Sequence, residues 1–327
     1  MLINHHRKFT PINMLSVSFI GLVLCLGIFL HLPEQITPIL LEPAVHNFIG
    51  IRIGENFSPG VNVLITLILT LGQAFFLNRI VNAFNFLGKP NFLVALMYMT
   101  LVSMFTPFLV LSPPVICNFI TIWMLWKLFD IYKQHEVKSL MFDLGMIVAL
   151  GSLIYFPFIV MLVLLWISLI IFRPFNWREW TTPLLGFITV YFLLGVIYYW
   201  GGRIDEFYAI FKPLSYSFPT EFSLNIYDYI VVIPVIVVLL YFIIVLKDHF
   251  FKSVVHLRKA FQLLFFMVLL TLCSFYMNEH ITINHFLLCA PPIAIYLAYY
   301  FTHAQTKWVY ESLYAIIILT IVYFQFF

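Results

Sequence analysis

Long, unbroken apolar stretches dominate this sequence, and they decide what the chain can become. A helix needs about 20 apolar residues to cross the hydrocarbon core of a bilayer, and about eleven candidates satisfy that rule. They lie at 13–32, 60–80, 92–108, 114–128, 140–156, 157–172, 181–199, 226–246, 260–277, 285–301 and 308–327. Hydrocarbon offers the backbone no hydrogen-bond partner, so segments this long satisfy themselves as helices. Barrel strands would be shorter and would alternate. Charged residues make up 9% of the chain against 63% hydrophobic, too few to clothe a water-facing surface. A soluble enzyme, a disordered protein and a nucleic-acid binder are therefore excluded. The net charge of +3 suggests no polyanionic partner. The expected fold is all-α: a polytopic transmembrane helix bundle forming a single integral membrane domain over residues 1–327.

Lys and Arg set the expected orientation, because they concentrate on the cytoplasmic side of short loops. With the N-terminus cytoplasmic, only Arg52, Arg203 and Lys212 of the 17 Lys and Arg residues fall outside. The expected setting is a bacterial inner membrane. The first apolar stretch follows Arg7 and Lys8 and lacks a small-residue cleavage site, so it reads as a retained anchor. Two outer segments are long enough to build a site: 33–59, which mixes prolines with apolar and acidic residues and suits interfacial helix, and 200–225, rich in aromatics. The inner loop 247–259 is basic and suits anionic headgroups. Cys25, Cys117, Cys273 and Cys289 all fall within spans and read as small apolar packers.

Polar residues inside spans are costly and need a reason. Gln73 and Asn118 read as interhelical hydrogen-bonding groups or as part of a substrate path. The inner string Arg173-Pro174-Phe175-Asn176-Trp177-Arg178-Glu179-Trp180 reads as an interfacial anchor or a docking element. His280 and His285, with Glu279, lie just before a span that opens with a Pro-Pro pair. Two histidines five residues apart do not make a metal site, which needs three or four converging ligands. No metal is expected, and the cofactors are unknown.

The segments QAFFLNRIVN (73–82), KPNFLVALMYM (89–99), FTPFLVLSPPVICN (105–118), LGSLIYFPFIV (150–160) and FRPFNWREWTTPLLGFITVYFLLG (172–195) resemble an uncharacterised multi-pass inner-membrane family of Bacteroidota. More remotely, the layout resembles GT-C glycosyltransferases, which use polyprenyl-phosphate sugars. Those enzymes place a catalytic carboxylate in the outer loop after the first span. They also carry a basic residue before a late Pro-Pro segment, where HFLLCAPPIAIYLA (285–298) is similar. The comparison sets His285 against the lipid phosphate, where the family has arginine or lysine.

Glycosyl transfer from a lipid phosphate needs a carboxylate as base or metal ligand and a cation for the leaving phosphate. Glu34, Glu42 and Glu55 are the candidates for the first role; Arg52, Arg203 and His285 are candidates for the second. Two function classes follow. One is a GT-C-like transferase, or a degenerate relative, acting on lipid-linked sugars at the outer face. The other is a non-enzymatic scaffold or subunit of envelope machinery; a transporter or flippase is a further alternative. The expected partners are membrane lipids, with a polyprenyl-phosphate sugar or other envelope proteins according to the class.

Overall fold

The structure is a computed structural model that describes residues 2–30, 58–134, 136–215, 233, 235–241, 243, 254–277 and 282–326. Among the described residues every regular element is helical. In chain order they are α1 (Leu2–His6), α2 (Pro11–Leu24), α3 (Leu26–Leu30), α4 (Pro59–Ala83), α5 (Leu93–Val102), α6 (Pro113–Asp130), α7 (Lys138–Ile154), α8 (Met161–Phe172), α9 (Trp177–Trp200), α10 (Ile204–Ala209), α11 (Val255–Cys273), α12 (Ala290–His303) and α13 (Lys307–Phe326). Short 3₁₀ turns occur at Thr106–Leu109, Phe156–Val160 and Ile283–Cys289, among other places.

Among the described residues, four segments are long and apolar enough to cross a membrane: Pro59–Ala83, Trp177–Trp200, Val255–Met277 and Ile283–His303. Pro11–Leu24, Leu93–Val102 and Phe156–Phe172 are shorter apolar helices. Prolines open α2, α4 and α6, where their missing N–H is not needed. The expected eighth span, 226–246, lies mostly outside the described residues, as do all of 33–57 and Glu279 and His280.

Burial separates centre from edge, which apolarity alone does not do. In the Ile283–His303 segment 83% of the span window is buried, against 22% for Trp177–Trp200. α5 is the innermost helix, with every residue from Leu93 to Val102 buried. It is also shorter than the expected 92–108 segment. At ten residues it reaches about 15 Å, and the chain then breaks before the 3₁₀ turn that carries Pro107.

The turn into α5 is closed by three asparagines. Asn78 and Asn82 both donate to Asn91 O, at 3.0 and 2.9 Å, and Asn91 Oδ1 accepts from Leu93 N at 3.1 Å. Asn85 and Gly88 supply the positive φ values that the reversal requires, 53° and 76°. The asparagines of QAFFLNRIVN and KPNFL thus have a structural purpose.

A chain of contacts places several other turns at the same end of the bundle. Phe92 N donates to His6 O at 3.1 Å, and Phe9 stacks on Phe92. Arg7 donates to Phe301 O and Ala304 O at 2.6 and 2.9 Å, tying the N-terminal residues to the α12–α13 turn. His256, at the start of α11, packs on Phe86 and Tyr132. Arg173 donates to Gln134 O, joining the α8–α9 turn to the α6–α7 turn. This end carries Arg7, Lys8, Lys89, Lys127, Arg173, Arg178 and Lys307, whereas Arg203 follows the far end of α9.

The described ends of the chain lie at opposite ends of α13. Asn4 N donates to Glu311 Oε1, just past its first turn, at 3.3 Å. Gln325 Nε2, in its last turn, donates to Ser103 O at 2.8 Å. Gln325 lies 14 residues after Glu311, a rise of about 21 Å.

Candidate functional site

Pro291 and Pro292 lie in the first turn of α12, where a missing N–H is tolerated. Residues Ile283–Cys289, just before it, run as a 3₁₀ turn. Pro291 cannot donate to Leu287 O as an α-helical residue would; that carbonyl accepts from Ala290 N and from Asn118 Nδ2 of α6 at 3.0 Å.

His285 lies on the same turn and is 1% exposed. Its Nδ1 is 2.7 Å from Tyr155 Oη, just past α7. Its Nε2 is 2.9 Å from Thr271 O and 3.2 Å from Ser274 Oγ, at the end of α11. A carbonyl only accepts, so Nε2 carries the proton and donates to Thr271 O. Nδ1 then accepts from the Tyr155 hydroxyl. The proton on Nε2 follows from the carbonyl partner, and the Tyr155 hydroxyl is able to donate to Nδ1. Along α12 and the turn, His285 lies about 30 Å from the basic end, near the opposite boundary of a hydrocarbon core.

A second group of buried polar residues joins it through the Ile283–Cys289 turn. Asn118 Nδ2 approaches Tyr98 Oη at 3.3 Å. Tyr98 donates to Gln73 Oε1 at 2.7 Å, and Gln73 Nε2 donates to Val115 O at 2.7 Å. Gln73, Tyr98, Asn118, Thr271 and Ser274 are all buried. The network crosslinks α4, α5, α6, α11 and the turn into α12. Asn118 Oδ1 and Thr121 Oγ1, one turn apart on α6, have no hydrogen-bond partner among the described residues.

Of the six residues expected to carry a transferase site, Glu34, Glu42, Arg52 and Glu55 lie outside the described residues. Arg203 follows α9; its guanidinium faces Glu206 at 3.8 Å and lies over the Tyr198 ring. Its side chain is 48% exposed, which suits an interfacial ion pair. From there α10 folds back on α9 through Phe207 and Phe211, which pack on Tyr198 and Tyr191. His285 is the one expected site residue found in the buried polar network. Tyr155, Thr271 and Ser274 were not legible as its partners, because single hydroxyl residues in apolar spans leave no spacing pattern. Among the described residues no group of three or more His, Cys, Asp or Glu side chains is placed to hold a metal.

At the basic end, the string 173–180 forms a capped helix start. Asn176 Oδ1 accepts from Arg178 N at 3.2 Å. Glu179 is in the first turn, buried, with Arg173 Nη1 at 3.7 Å. Trp166 Nε1 donates to Trp180 O at 3.0 Å, holding α8 to α9.

No curated protein and no solved structure matches the chain. Matched over residues 55–327, the chain belongs to a family of unknown function, DUF6427.

Proposed function

We propose that this chain is a multi-pass membrane subunit of about eleven crossings that acts as a non-enzymatic scaffold for envelope machinery, with its N-terminus cytoplasmic in a bacterial inner membrane. The observation that carries the reading is the placement of His285. Its ring is buried and both ring nitrogens are engaged by groups of the protein, Tyr155 Oη on one side and Thr271 O and Ser274 Oγ on the other. A group that offsets a leaving phosphate must present itself to that phosphate. A buried histidine with both nitrogens engaged inside the bundle crosslinks helices instead. Support for the orientation comes from the basic residues gathered at the end that holds the N-terminal segment.

The competing reading is a GT-C-like transferase, with Glu34, Glu42 or Glu55 as the carboxylate and Arg52, Arg203 and His285 as cations. Deletion of the gene followed by analysis of lipid-linked sugars separates the two. The scaffold reading expects unchanged polyprenyl-phosphate sugars and loss of a membrane complex that co-purifies with the tagged chain. Accumulation of a polyprenyl-phosphate sugar, restored by the wild-type gene but not by carboxylate-to-amide variants, would overturn it.

A further inference from the structure

A groove of about 430 Å³ opens at the basic end, lined by Phe9 and Met14 from the N-terminal segment, Phe75, Asn78, Arg79 and Asn82 from α4, and Pro90 and Phe92 from the following turn. Its floor is fixed. Asn78 and Asn82 are tied to Asn91, and the Phe9–Phe92 ring stack holds one wall, with centroids 4.9 Å apart.

One cation lines this apolar groove and two more adjoin its lining residues in the chain. Arg79 lines it, and Lys8 and Lys89 are the chain neighbours of Phe9 and Pro90. All three residues are exposed. Among the described residues no acidic side chain pairs with any of them; the ion pairs there are Lys127–Asp143, Arg173–Glu179 and Arg203–Glu206. Positive charge is thus carried at and beside an apolar cleft, with no acidic partner among the described residues. Above it, the exposed Leu15, Phe19 and Leu22 of α2 and Ile68 of α4 continue an apolar path along the two helices.

We infer that this groove binds an anionic glycerophospholipid of the leaflet at the basic end. The phosphodiester would sit against the Arg79 guanidinium, with Lys8 and Lys89 contributing, and an acyl chain would lie against Met14 and Phe75 and run along α2 and α4. The charge complementarity selects an anion, and the apolar extension selects one that carries a hydrocarbon tail. A free phosphate meets only the first requirement. A zwitterionic lipid meets the second and carries no net charge. The inference requires the membrane setting and does not depend on the scaffold reading.

The test is native mass spectrometry of the detergent-purified full chain, titrated with phosphatidylglycerol and separately with phosphatidylethanolamine. Phosphatidylglycerol is expected to bind at least about fivefold more tightly, the effect of about one basic side chain at a lipid surface. Arg79→Gln should lose about that factor for phosphatidylglycerol alone, and Arg79→Lys should retain most of it. Arg178→Gln, at the same end but outside the groove, should leave binding unchanged. Equal affinity for the two lipids would overturn the inference, as would equal loss in Arg79→Gln and Arg178→Gln. Displacement of the bound lipid by millimolar inorganic phosphate would reassign the groove to a free anion. A photoreactive residue at Met14 in native membranes should crosslink to lipid; crosslinking to a protein would also overturn it. A matching thermal midpoint for Arg79→Gln and the wild type separates lost binding from lost folding.

Discussion

Tyr155 Oη and His285 Nδ1 lie 2.7 Å apart, joining residues 130 positions distant in sequence. The bond makes the end of α7 and the turn into α12 one unit with α11, because His285 Nε2 is held by Thr271 O. Tyr155→Phe removes the donor and leaves a buried acceptor unsatisfied, which costs about 1–3 kcal/mol. The purified variant should show a lower thermal midpoint. His285→Arg distinguishes a crosslink from a phosphate-binding cation. As a crosslink position it buries an uncompensated charge at about 3–5 kcal/mol, and membrane abundance should fall. Normal abundance of that variant would contradict the crosslink role.

The pair Gln73 and Tyr98 allows the network to be measured as a coupling. Tyr98 donates to Gln73 Oε1, and each residue keeps other partners. Gln73→Leu and Tyr98→Phe should each destabilise the chain, and the double variant should lose less than the sum. The coupling should be about 0.6–2 kcal/mol, the range for interhelical hydrogen bonds in membranes. Strict additivity in denaturant unfolding would show that the bond contributes nothing.

The helices were legible where a long apolar run marks a span. Expected segments 60–80 and 181–199 lie within Pro59–Ala83 and Trp177–Trp200; the first turn of the latter, with Arg178 and Glu179, is too polar for an apolar count to include. The interior of the bundle was not legible. A residue facing lipid and one facing another helix are equally apolar, so nothing in 92–108 reveals that Leu93–Val102 is wholly enclosed. Pro107 hinted at the break after Val102, but a length rule counts through it. Gln73, Asn118 and His285 stood out because they are polar in an apolar context. Their partners did not, because Leu287 O and Thr271 O are backbone atoms that any residue would supply.

Close packing of α7 on α9 gives a steric prediction. A Cβ added at Gly145 would overlap Pro183 O, and one added at Gly186 would overlap Phe142 O. Both obstacles are backbone atoms and cannot rotate away. Small residues let membrane helices approach to this distance. Gly145→Ala and Gly186→Ala should each cost about 1–3 kcal/mol or more through overpacking. Gly72 provides the contrast, as its nearest obstacle is a Phe119 ring atom at 3.9 Å. Gly72→Ala should gain about 0.5–1 kcal/mol from helix propensity. Thermal midpoints of the three variants, compared with wild type, check both signs.

The last prediction concerns the two ends of the bundle. Arg178 and Asp205 are both exposed and lie at the start of α9 and just beyond its end. The 24 residues of α9 span about 36 Å, enough to carry the two positions to opposite faces of a hydrocarbon core about 30 Å thick. The basic residues collect at the Arg178 end, where the positive-inside rule places cytoplasm. In intact cells, then, an impermeant thiol reagent should label Asp205→Cys and spare Arg178→Cys. Permeabilisation should expose Arg178→Cys as well. The background carries Cys273→Ser, because Cys273 is the exposed native thiol. Asn4→Cys should behave like Arg178→Cys, since residues 3–9 pack on the turns at that end. Labelling of Asn4→Cys in intact cells, with Asp205→Cys spared, would invert the orientation. Equal labelling of all three would remove the membrane crossing of α9 altogether.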